Sequence, residues 1–103
     1  MPVRRHGPGW TEILLADPQT GAGLPMRASR WVVQPHSRTP EIVCEDDETI
    51  LYVVRGSGTA VIGGMRHRLE AETVLWVEPG DPYQLESGKD GLEILQGSVA
   101  GEP

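Results

Sequence analysis

Between Glu48 and Glu86 the apolar residues come in short runs and never at a helical spacing. The runs are residues 50–54 (ILYVV), 59–62 (TAVI), 74–77 (VLWV) and 83–85 (YQL). Turn-forming residues cut them apart: Arg55-Gly56-Ser57-Gly58, then Gly63-Gly64, then Glu78-Pro79-Gly80-Asp81-Pro82. Short β-branched runs at regular intervals, punctuated by Gly and Pro, predict an antiparallel sandwich or barrel. A doubled or closed sheet is the usual way to hide strand edges.

The flanking residues extend this pattern. Residues 10–16 (WTEILLA) predict a first strand and 26–34 (MRASRWVVQ) a second, with Trp31 and Val33 on one face and Val32 on the other. Residues 17–25 (DPQTGAGLP) read as a loop, 35–40 as a turn, 41–44 as a short strand and 45–48 as an acidic loop. Residues 66–69 form the second arm of the Gly63-Gly64 hairpin. Residues 87–91 are a further turn, and 92–96 (LEILQ) a last alternating strand. We expect a loose arm over 1–9, one β domain over 10–97 and a tail over 98–103. No stretch of ten or more residues carries a helical period.

Composition narrows the class. A chain of 103 residues is one domain by size. Its formal net charge of −6 argues against a nucleic-acid backbone or an anionic membrane as main partner. The single cysteine, Cys44, cannot close an internal disulfide, which fits a reducing compartment. No apolar run follows Arg4-Arg5 as a signal peptide requires, and none reaches transmembrane length, so a soluble cytoplasmic protein is expected. With no Phe in the chain, Trp10, Trp31 and Trp76 carry much of the aromatic packing.

Three features together resemble the cupins: Pro35, the run from Glu48 to Gly58 (ETILYVVRGSG), and Glu78-Pro79-Gly80-Asp81-Pro82 before an alternating strand. The resemblance covers about residues 30 to 97. It implies an all-β, antiparallel jelly-roll barrel, often dimeric. The family's motifs, G(x)5HxH(x)3,4E(x)6G and G(x)5PxG(x)2H(x)3N, supply three histidines and a glutamate that hold one ion in metal-dependent members. By this resemblance the ligand positions fall on Ile42, Cys44, Thr49 and Tyr83, with His36 at the first motif's opening Gly and Gly56 at its closing Gly. Gly80 keeps the Gly of PxG, while Ala71-Glu72 replace the second motif's opening Gly and Ser87 its Asn. The turns of the family survive and its ligands do not. One thiolate falls short of the three protein ligands of a catalytic zinc site. No cofactor and no metal ligands are therefore expected.

Each candidate residue has a plainer alternative. Cys44 reads as a nucleophile or soft ligand, or as a small buried filler. Tyr83 reads as a proton donor or ligand anchor, or as a core aromatic. Thr49 either bonds a ligand or simply suits a strand. His36 lies in a loop from which it could reach a pocket. His67 shares a face with Met65 and Leu69, where a structural role is commoner. Trp31 and Trp76 either line a pocket or serve the core or a subunit contact. Residues 45–48 lack the oxygen spacing of a calcium loop.

The expected function is the binding of a small organic molecule inside the barrel, without the family's ion. If there is turnover, it is acid–base work (isomerisation, epimerisation, cyclisation or elimination) by Tyr83, Cys44 and His36. Ile42, Thr49, Trp31, Trp76 and His67 would then line the ligand. One alternative is a metal enzyme with displaced ligands, drawn from Cys44, His36, Glu41 and Tyr83. Another is a non-catalytic sensing or dimerising module. If the sheet's outer face is as apolar as Ile50, Tyr52 and Val54 suggest, a second subunit should cover it, giving a homodimer.

Overall fold

The structure is a computed structural model and describes residues 3–16 and 26–100. The loop expected over 17–25 lies outside the described residues. Seven strands follow in order: β1 (Val3–Gly7), β2 (Trp10–Ala16), β3 (Met26–Val33), β4 (Asp47–Ile62), β5 (Met65–Glu70), β6 (Val74–Val77) and β7 (Tyr83–Ala100). They join antiparallel in the order β1-β2-β3-β7-β4-β5, with β6 on β4. No helix among the described residues is long and apolar enough to cross a membrane.

Two long strands, β4 and β7, pair along their whole length and bend together. Near the bend, Gly56 stands opposite Leu92 and Gly58 opposite Ser87, so residues 88–91 bulge out against the single residue Ser57. Gly56 has φ 95°, and a Cβ there would lie 2.1 Å from the Gly91 carbonyl oxygen. Only glycine tolerates both the dihedral and the approach. The bend divides the sheet into two leaves. One holds β1, β2, β3, the later half of β7, the first half of β4, and β6. The other holds the start of β7, the end of β4, and β5.

The leaves share one core. Trp31, Val33, Leu51, Val53, Leu92 and Ile94 come from the first, and Ala60, Leu69, Tyr83 and Leu85 from the second. Along β4 the two-residue period is regular: Thr49, Leu51 and Val53 are buried, while Ile50, Tyr52 and Val54 are exposed.

Several expectations change. Residues 3–7 are not a loose arm but a strand, held by its ladder to β2 and by Arg5, whose Nε donates to Glu12 Oε1 at 2.8 Å. Residues 98–100 are not tail: Ser98 sits between Arg27 of β3 and Thr49 of β4. Residues 41–44 form no strand, only an isolated bridge at Ile42. The expected turns at 55–58 and 87–91 are passed through by continuous strands, because paired bulges absorb their glycines. The Gly63-Gly64 hairpin forms as read, with both glycines at positive φ.

Candidate functional site

Strand register sorts the interior face of the first leaf into layers, because directly opposed residues share a face. One layer runs Arg27, Ser98, Thr49, Val77 across β3, β7, β4 and β6. The next runs Leu14, Ser29, Gln96, Leu51. A third runs Arg5, Glu12, Trp31, Ile94, Val53. A fourth, Trp10, Val33 and Leu92, meets the bend at Gly56. The first layer is largely polar, the second half polar, and the last apolar.

The polar side chains are deeply buried: Glu12, Ser29, Thr49, Gln96 and Ser98 are each at most 5% exposed. They form a hydrogen-bonded chain. Trp31 Nε1 donates to Gln96 Oε1 at 2.7 Å, and Gln96 Nε2 donates to Ser98 Oγ at 3.2 Å. Ser98 Oγ lies 3.1 Å from Thr49 Oγ1. The Arg5 guanidinium bonds the Glu12 carboxylate and lies 5.6 Å from the Trp31 ring centroid. Trp10 packs on Trp31 at 5.6 Å between centroids. A buried carboxylate is tolerable only with such a partner. Ser29 Oγ is buried and has no hydrogen-bond partner among the described residues, a cost that native interiors rarely carry without a reason.

Thr49 and Trp31 thus enter the layer expected of them. Ile42 and Tyr83 come together as well: each backbone amide donates to the other's carbonyl, at 2.7 and 2.8 Å, and both side chains are in the core. Cys44 is half-buried against the same core, and its carbonyl accepts the Gly80 amide at 2.9 Å. His67 is half-buried on β5 opposite Ala60. Two residues lie elsewhere. His36 is exposed on the 34–38 loop at φ 55°, in an outer cleft of about 260 Å³ with Arg38, Glu86 and Ser87. Trp76, read as lining a pocket or serving the core or a subunit contact, takes neither of the first two places: it points outward from β6 beside Ile50 and is 53% exposed.

Glu41 is exposed, and among the described residues no three His, Cys, Asp or Glu side chains gather to hold an ion. A larger cleft of about 410 Å³ opens at the bend, where Arg55 and Asp90 flank Gly91.

Arg5, Glu12, Arg27, Ser29, Gln96 and Ser98 were not singled out from the sequence. The signal was present: stepping back by twos from Val33 and Trp31 reaches Ser29 and Arg27, and stepping on from Leu92 and Ile94 reaches Gln96 and Ser98.

Solved structures with this arrangement define the fold as a cupin-type jelly roll. The cupin domain of Schizosaccharomyces pombe Cnp3 superposes with a TM-score of 0.77 at 12% identity, over 88% of this chain and 64% of that one. A predicted oxalate decarboxylase from Thermotoga maritima gives 0.79 at 20%, over 88% and 80%. The salicylate 1,2-dioxygenase of Pseudaminobacter salicylatoxidans gives 0.79 at 22%, over 96% and 28%, so this chain spans little more than a quarter of that enzyme. The sequence itself matches the AraC-like ligand-binding domain over residues 27–99, and the chain belongs to that family. It is a small cupin-type ligand-binding domain. No curated protein matches it.

Proposed function

We propose that this chain binds a small organic molecule in the barrel interior, against the polar layers of the first leaf, and does so without the cupin ion. The observation that carries the reading is Ser29: a residue 1% exposed, among buried hydrogen-bonding side chains, whose hydroxyl has no partner among the described residues. Pockets of this kind fix a ligand with few polar groups on an apolar frame. What supports the metal-free part is the donor set. The family's four ligand positions carry an alkyl group (Ile42), a hydroxyl shared with Ser98 (Thr49), a phenol (Tyr83) and one thiol (Cys44). That set does not fit an ion needing three strong ligands. The outer face of the same leaf, with Ile50, Tyr52, Val54, Val74, Trp76 and Val99 exposed, supports a homodimer.

The test is titration of the purified chain with a metabolite library, followed by melting temperature and by the Trp31 indole N–H resonance. A binder should raise the melting temperature, since it acts on the folded state alone. It should also move the Trp31 signal through Gln96. Binders that all shift only residues of the 55/90 cleft would overturn the reading. So would a stoichiometric, chelator-sensitive ion in elemental analysis.

A further inference from the structure

Independently of the interior site, we infer that the cleft at the bend binds a zwitterion of the α-amino acid class, with its carboxylate on Arg55 and its ammonium on Asp90. The cleft, of about 410 Å³, is within the size range of small-molecule sites. Its charges are left over in one particular way. Glu93, whose side chain is 13% exposed, is shared by two cations: Arg55 Nε lies 2.9 Å from Oε1, and Arg30 Nε 3.3 Å from Oε2. One carboxylate therefore serves two guanidinium groups. The Arg55 side chain is 78% exposed, so its guanidinium keeps donors open to the cleft. Asp90 lines the same cleft, is exposed, and forms no ion pair among the described residues. Arg55 and Asp90 do not meet: their charged atoms stand more than 4.0 Å apart. One cleft thus holds an excess positive group and an unpaired negative one with a gap between them.

The backbone under both groups is held in place. Gly91 is buried at φ 73°, and a Cβ there would lie 2.7 Å from the Val33 carbonyl oxygen. The bulge that carries Asp90 is thus seated on β3. The His36 amide fastens it again by donating to the Gly88 carbonyl at 3.0 Å. Arg55 stands on β4 next to Gly56, which the Gly91 carbonyl approaches closely. Backbone fixed before the ligand arrives lowers the ordering cost of binding. Singly charged ligands suit only half of this site. An anion meets Arg55 but also Asp90, in a chain of net charge −6. A cation meets Asp90 but also the arginines. A molecule that carries both charges suits both walls. Val32, Pro35 and Leu92 also line the cleft and favour an apolar side chain on the amino acid.

The experiment titrates the full chain with L-valine, with isovalerate (valine without its ammonium) and with isobutylamine (valine without its carboxylate). It reads the amide resonances of Gly56 and Gly91 and the indole resonance of Trp31. Valine should shift both glycines with a dissociation constant in the millimolar range and leave Trp31 in place. Each half-ligand should bind at least about threefold more weakly, the size of one exposed ion pair. Asp90→Asn should weaken valine about threefold and leave isovalerate no weaker. Arg55→Gln should weaken valine about threefold and leave isobutylamine no weaker. Arg66→Ala, away from the cleft, should leave valine binding unchanged. Either half-ligand matching valine would overturn the zwitterion. Valine producing no saturable shift at Gly56 or Gly91 would overturn the cleft as its site. A shift of Trp31 alone would put valine in the interior, overturning the cleft and leaving the interior reading standing.

Discussion

The interior of the barrel has two ends built on the same alternation and filled in opposite ways. Around Val33, Leu92, Leu85 and Ala60 the inward positions are apolar and closely packed. Around Ser29, Gln96 and Ser98 the same inward parity carries donors and acceptors, equally hidden from water. Burial by itself therefore does not distinguish core from site in this protein; the unspent hydrogen-bonding capacity does. The apolar end contributes stability through removed surface and close contact. The polar end yields little net stability, since each hydrogen bond replaces one to water.

That contrast can be broken by substitution. Ile94→Ala, at a fully buried position facing Trp31 and Val53, should cost about 2–5 kcal/mol in denaturant unfolding. Gln96→Leu should cost less, about 1–3 kcal/mol, chiefly by leaving the Trp31 indole N–H without an acceptor. Its Trp31 resonance should also move upfield. Thr49→Val keeps the shape and removes one hydroxyl from Ser98, so about 1 kcal/mol is expected. Arg66→Ala, which breaks an exposed pair with Glu86 at 2.9 Å, should fall between about 0 and 1 kcal/mol. If Thr49→Val proved as damaging as Ile94→Ala, the two ends would be one structural core and the contrast would fail.

The strand positions were legible from Gly and Pro punctuation and from alternation. Two of the breaks misled, because glycine at a bulge and glycine at a turn read alike in sequence. Gly56 lets β4 bend without ending it. β1 was hidden for another reason. Its Arg5 is charged and remains 47% exposed, and only its ion pair with the buried Glu12 ties it to the sheet's inner face. A one-dimensional hydropathy reading scores both residues as solvent-facing. Ile42, Thr49 and Tyr83 could be placed inward from the family resemblance. Gln96 closed a strand already drawn and Ser98 lay two residues beyond it, and a polar residue in phase with Leu92 and Ile94 was the clue. Pocket, core and subunit contact stayed open for Trp76 because a lone tryptophan on a four-residue strand carries no phase of its own.

The continuity of β4 and β7 has a consequence for how the molecule comes apart. Both leaves are built on the same two strands, so opening one disturbs the ladder of the other. Amide exchange at Leu51 and at Ala60, on opposite sides of the bend, should report a single opening free energy. Asp47 pairs with Ala100 and Thr59 with Glu86; such distant closures place refolding in the millisecond-to-second range, slow for so short a chain.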